Sequence, residues 1–283
     1  SVPIAGIAGP KTAIPVWRDT RSSMSGKASL AAMIRLRRRF AGTIPAASDK
    51  GPERLLRPHL ETSTPMLSAA QSAQFKDHGF LVIERFWDEA QVAAARSRSE
   101  TLLRSLDPVT GAGVFSTLDH RHSSSDAFLG SAHLVRAFFE EEAVDAQGRL
   151  LVPADRAVNK FGHALHRLDP VFAALSHGPR LAALASDLGL GQPQLRQSML
   201  IVKQPGIGGE VRWHQDATYF HGDPITVTTF WFAIEDADED NGCLWVEPGG
   251  HKGPLRERFR HDAQGTRLET TDATDWPDRA RAQ

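Results

Sequence analysis

After Gly191 the hydrophobic pattern of this 283-residue chain changes period, and few folds accommodate the change. Upstream the signals are helical. Ser68 with Gln71, and Asp88 with Gln91, have the spacing of capping boxes, and Gly79 is placed to close the first helix. The second helix puts Val92, Ala95, Leu102, Leu103 and Leu106 on one face. Asp169 before Pro170 starts a further helix, and another runs over 180–188 before Gly189. Two exceptions interrupt this half: 80–83 (FLVI) reads as a buried strand, and Gly148 sits in a turn between Val144 and 150–152. Downstream, 194–203, 211–220, 225–234 and 243–246 are β-branched or aromatic, separated by Pro-Gly, Gly-Asp-Pro and Asn-Gly turns. Helices followed by closely spaced strands predict an α+β fold with an antiparallel sandwich or barrel. From Arg256 onward no strand is evident.

Charge divides the chain elsewhere. Residues 1–65 carry 11 Lys/Arg against 4 Asp/Glu, so the near-neutral total of -1 hides a basic leader on an acidic body. The leader is rich in Pro, Ser, Ala and Gly, with a dense run at Arg35, Arg37, Arg38 and Arg39. It is expected to be disordered or non-native sequence ahead of a unit spanning 66–283, and it has no apolar core of a secretory signal. The near-zero net charge argues against nucleic-acid or membrane-surface binding. No run reaches the roughly 18 apolar residues of a membrane span. The single cysteine, Cys243, cannot form an internal disulfide, which favours a reducing, cytoplasmic location.

The sharpest chemical feature is His214-Gln215-Asp216. In an extended chain residues two apart share a face, so imidazole and carboxylate can reach one cation. They would supply two of the three ligands of a facial triad for non-haem Fe(II). With 12 His in 283 residues, roughly one His-x-Asp pair arises by chance, and a surface ion pair is the plainer alternative.

The surrounding blocks decide between these. HGFLVIERF (78–86), FFEEEAVDAQGRLLVP (138–153), NKFGHALHRLDPVF (159–172), QSMLIVKQPGIGGEV (197–211), WHQDATYF (213–220) and FWFAIEDADEDNGCLWVEPGGH (230–251) resemble, in order, the phytanoyl-CoA dioxygenase family, its domain-containing branch in particular. The resemblance implies a double-stranded β-helix, the cupin-like jelly roll, with N-terminal helices packed on one sheet. It implies an oxidoreductase using Fe(II), 2-oxoglutarate and O2, with ascorbate supportive, to hydroxylate a C–H bond of a small-molecule substrate. Succinate and CO2 are the by-products. His214 and Asp216 match the first two iron ligands, and Lys160, Met199 and Trp231 match positions lining the 2-oxoglutarate pocket. Without the resemblance, Met199 and Trp231 read as core and Lys160 as a solvated charge. His163 and His166 flank the Lys160 motif and are candidates to meet substrate. No basic cluster beyond Lys203 and Arg212 suits a CoA diphosphate, which favours a non-CoA substrate.

The family pattern also requires a second histidine on a later strand, and an arginine about ten residues beyond it to fork onto the co-substrate carboxylate. Only His251 and His261 follow the His-x-Asp pair. His251, with Arg260 nine residues on, belongs to the PGGH turn between the ligand strands, and His261 lies in a polar tail. The expectation is therefore a family member without its final strands, doubtful in catalysis. The alternative is an inactive jelly-roll domain with a vestigial site.

Overall fold

The computed structural model describes residues 65–106, 112–115, 126–209 and 211–278, together with the backbone of three N-terminal strands. Those are β1 (Ile4–Ala8), β2 (Ala13–Val16) and β3 (Lys27–Leu36). All three fall inside the segment read as a leader, while Arg37, Arg38 and Arg39 lie outside the described residues. Then come α1 (Ala69–His78), β4 (Phe80–Glu84), α2 (Glu89–Arg104), β5 (Ala112–Phe115), α3 (Asp126–Leu129) and β6 (Val135–Glu140). They are followed by α4 (Ala154–Ala157), β7 (Val158–His163), α5 (Leu165–Leu168), α6 (Pro170–Ser176) and α7 (Pro179–Asp187). The last strands are β8 (Pro193–Lys203), β9 (Val211–Gln215), β10 (Val227–Ala233), β11 (Glu257–Asp262) and β12 (Gly265–Thr270). The class is α+β, as the change of period requires.

Local chemistry accounts for most boundaries. Both capping boxes form: Ser68 accepts from the Gln71 N–H and Asp88 from the Gln91 N–H, with each glutamine reaching back to the cap backbone. Gly79 ends α1 at φ 83°, a conformation open to glycine and strained for a residue bearing Cβ. Asp169 caps α6 through the Val171 and Phe172 N–H groups, with Pro170 in the first turn where no N–H is needed.

The main sheet has the order β4-β1-β10-β3-β8-β7-β6-β5 and is antiparallel except for β5 against β6. Small sheets pair β11 with β12 and β2 with β9. Along β8, Ser198, Leu200 and Val202 are buried while Gln197, Met199 and Ile201 are only partly covered, so each strand presents one face to the helices. The helical side is the core. Phe230 and Phe232 of β10 meet Phe86 and Trp87, whose indole stacks on Phe232 at 4.0 Å, beside Phe172 of α6 and Leu181 and Leu184 of α7. The other face carries the candidate site.

Four sequence expectations need correction. The strand read over 211–220 stops at Gln215, because the Asp216 carbonyl accepts from the Tyr219 and Phe220 N–H groups and turns the chain into a single 3-10 turn. Residues 243–246 form no strand. The charged tail does form one: β11 and β12 make a hairpin whose turn uses Gly265 at φ 97°. Arg260–Glu269 and Arg267–Asp262 ion pairs cross it, and that charge hid the β pattern. Residues 80–83 form a strand, but Val82 is exposed, so the apolar run is not fully buried.

The PGGH turn folds far back along the chain. The Gly249 N–H donates to the His78 carbonyl at 2.7 Å, His251 Nε2 to the Lys76 carbonyl at 2.9 Å, and Lys252 pairs with Asp77. Helices α2 and α6 are tied by Asp169, 3% exposed, which takes a 2.6 Å hydrogen bond from Arg98 Nε while capping α6. Asp169→Ala removes both interactions and is expected to cost about 2–4 kcal/mol in urea unfolding, with Asp169→Asn, which keeps a cap acceptor, costing roughly half.

Candidate metal centre and its surroundings

His214 stands near the end of β9 and Asp216 opens the turn that follows. Gln215 between them is still extended, at φ -113° and ψ 131°, so the two side chains emerge on one side. His214 Nε2 lies 3.6 Å from Asp216 Oδ1. The other ring nitrogen, Nδ1, donates to the Arg212 carbonyl at 3.0 Å, which in the neutral ring leaves the Nε2 lone pair facing the carboxylate. Asp216 Oδ2 accepts a short hydrogen bond from Thr229 Oγ1 of β10. Burial works against the imidazolium, but the Asp216 carboxylate and the Arg212 carbonyl outweigh it and hold His214 above its ordinary value.

Gln215 points the opposite way and is fully buried. Its Nε2 donates to the Pro254 carbonyl at 3.0 Å and its Oε1 accepts from the Arg256 N–H at 2.8 Å. The amide thus acts as a stretch of false backbone, fixing the His-x-Asp turn to the segment that leads into β11. Arg212 adds a two-oxygen contact with Glu257 of β11, and Tyr219 packs between the His214 and Phe259 rings.

Trp231, Met199 and Lys160 share a sheet face. In register, Trp231 is opposite Ala31, Ala31 opposite Met199, and Met199 opposite Gly162, with Lys160 two residues before Gly162 on β7. Thr229, which holds Asp216, lies two residues before Trp231 and therefore on the same face. Lys160 is not a solvated charge. It is 7% exposed, with Nζ 3.1 Å from the centre of the Phe115 ring and the rings of Phe128 and Phe138 farther out. Burial pulls its ammonium down to about 7, aided by the charge of Lys203 and resisted by Glu140.

His163 and His166, which flank the Lys160 motif, have structural partners. His163 Nδ1 meets Ser131 Oγ at 2.8 Å among Phe128 and Phe138. His166 Nδ1 meets Ser198 Oγ at 2.8 Å, and burial, with His177 and Arg167 nearby, pulls it down to about 4. His251 holds the α1 turn and His261 lies on the hairpin. Among the described residues no third His, Cys, Asp or Glu joins His214 and Asp216 to form a metal-binding group. Sequence reasoning missed Gln215 and Glu140. Nothing about an isolated Gln signals a clamp, but its place opposite two outward-facing polar residues marked it for burial.

A mixed α+β protein with a His–carboxylate pair on a strand end, above a sheet face bearing a buried lysine, defines a narrow class. The sequence profile of the phytanoyl-CoA dioxygenase family matches residues 75–282, and the chain belongs to that family. It is 44% identical over 204 residues to phytanoyl-CoA dioxygenase 1 of Oryza sativa subsp. japonica, covering 72% of each chain. It is 42% identical over 196 residues to phytanoyl-CoA dioxygenase of Arabidopsis thaliana, covering 69% of each. To phytanoyl-CoA dioxygenase domain-containing protein 1 of Bos taurus it is 41% identical over 206 residues, covering 71% of each. The family is one of oxygenases. Among the described residues no helix is long and apolar enough to cross a membrane.

Gln215→Leu keeps the volume but leaves the Pro254 carbonyl and Arg256 N–H unpaired. The expected cost is about 2–4 kcal/mol by denaturant unfolding, because the turn that carries Asp216 loses its anchor.

Proposed function

We propose that this protein is an Fe(II)- and 2-oxoglutarate-dependent dioxygenase that hydroxylates a C–H bond of a small organic substrate, and that residues 66–283 form its catalytic unit. The observation that carries this reading is the pair of donors at 3.6 Å, with the histidine tautomer and the carboxylate each fixed by a separate hydrogen bond. An imidazole nitrogen and a carboxylate oxygen suit ferrous iron, and they fit two of the three protein positions of a facial site. A double-stranded β-helix agrees with β9 leaving the main sheet to pair in a second one, and with helices covering the opposite face.

In this reading His214 and Asp216 hold the iron. When bound, iron(II) with 2-oxoglutarate and O2 supplies the oxidising chemistry, and succinate and CO2 are released. Thr229 keeps the Asp216 carboxylate turned toward His214. Met199 and Trp231 form apolar wall that limits water, and Lys160 offers an ammonium to a carboxylate of the 2-oxo acid. The presence of Asp216 separates the site from halogenating relatives, in which a halide takes the carboxylate's place. A non-CoA substrate fits the engagement of the two candidate basic side chains: Arg212 is engaged by Glu257, and Lys203 is partly buried near Glu140.

Conversion of 2-oxoglutarate to succinate with Fe(II) and ascorbate tests the proposal. Asp216→Ala is expected to lower both turnover and Mn(II) binding, read by electron paramagnetic resonance, by more than about 100-fold, and Thr229→Val by about tenfold. A wild-type chain that binds Mn(II) but releases no succinate would instead mark a ligand-binding domain with a vestigial centre.

A further inference from the structure

Glu140 is a carboxylate at 2% exposure that the proposed reaction leaves without a task. It ends β6, where Phe138 is opposite Lys160 of β7. Its Oε1 accepts from Asn159 Nδ2 at 2.9 Å, and Asn159 directly precedes Lys160. The loop from β8 to β9 closes over it: the Gly209 N–H bonds to the carboxylate, and a Cβ on Gly208, at a φ of 135° that L side chains rarely adopt, would sit a tight 3.2 Å from Oε1. The charged groups that face Glu140 are Lys160 from β7 and Lys203 from β8, and the charges that act on Lys160 are Glu140 and Lys203. Phe115 of β5, Phe128 of α3 and Phe138 of β6 complete the wall around the Lys160 ammonium.

Two ammonium groups, Lys160 buried and Lys203 half-buried, therefore feel the charge of one buried carboxylate. With both protonated, one positive charge is uncompensated, and burying an unpaired charge is costly. The cluster relieves that cost by releasing a proton. Lys160 is drawn down to about 7 and Lys203 to about 8, in each case by burial first, while burial pushes Glu140 upward against the pull of its hydrogen bonds and the lysines. A second anion arriving at Lys160 balances the count and restores the proton.

We propose that Glu140 is a positioning residue that sets the charge state of Lys160, and that an anionic 2-oxo acid binds together with uptake of one proton at Lys160. This rests on the reading of Lys160 as the co-substrate's partner. The sign follows: 2-oxoglutarate stays a dianion across the working range, so affinity is greatest below the point where free Lys160 deprotonates and falls up to tenfold per pH unit above it. Glu140→Gln retains an acceptor for Asn159 but removes the charge that favours the ammonium, so the fall starts at lower pH.

The test is calorimetric titration of the Mn(II)-loaded protein with 2-oxoglutarate, in two buffers of different ionisation heat, from pH 6.5 to 8.5. The wild type is expected to take up about half a proton at pH 7 and close to one at pH 8. Glu140→Gln is expected to take up close to one already at pH 7, with several-fold weaker binding, and Glu140→Asp to return toward the wild type. Lys160→Met, which carries the test if Glu140→Gln does not fold by circular dichroism, is expected to bind more weakly with no pH-dependent uptake. Wild-type binding without proton uptake, uptake that persists in Lys160→Met, or a Glu140→Gln profile that matches the wild type or shows less uptake overturns this inference alone. Absence of any 2-oxoglutarate binding overturns it together with the proposed function.

Discussion

The amide of Gln215 holds the geometry from which the rest of the site follows. His214 and Asp216 can share a face only while the residue between them stays extended, and β9 ends at that residue. Along the backbone Gln215 is opposite Ala13 of β2. Its side chain adds a second tie by giving its N–H to Pro254 and taking the Arg256 N–H, the exchange a paired strand would make. The Arg212–Glu257 ion pair and the Tyr219 ring bind the same turn to the same hairpin. An imidazole and a carboxylate are thus aimed by a residue with no part in the chemistry.

How much of this was legible in the sequence depends on whether the determining interaction was local. Ser68, Asp88 and Asp169 act on N–H groups within three residues, and the helices they begin are where the sequence puts them. The convergence of His214 and Asp216 is equally local. What escaped depended on partners that local composition does not reveal. The β11–β12 hairpin is held by ion pairs across strands whose charge resembles that of a loop. The segment at 243–246 has strand composition but extends no further than a single bridge residue, Leu244. Lys160 reads as a surface charge because its three phenylalanines come from β5, α3 and β6. The family resemblance, carried by blocks spread over 78–251, assigned Lys160, Met199 and Trp231 to one pocket, and the sheet register gives them one face. Glu140 had no such signal.

The two faces of the main sheet do different work with the same alternation. On β8, Leu200 and Val202 pack into the helical core while Met199 and Lys203 lie on the opposite face, and on β10 Phe230 and Phe232 alternate with Thr229 and Trp231. A slip of one residue in either strand would exchange core for site. The aromatic stack of Trp87 on Phe232 therefore guards the position of Thr229, three residues away, and through it the orientation of Asp216.

The seat of the PGGH turn on the end of α1 has a consequence for the order in which the chain assembles. His78 and Gly249 are joined by a backbone hydrogen bond, and His251 reaches Lys76 across 175 residues. Contacts so distant in sequence carry a large loop-closure entropy and form late. During vectorial synthesis α1 leaves the ribosome long before its partner exists, so its C-terminal end waits uncovered until residue 251 emerges. The interval between those events is when this chain is most exposed to aggregation and most in need of chaperone cover.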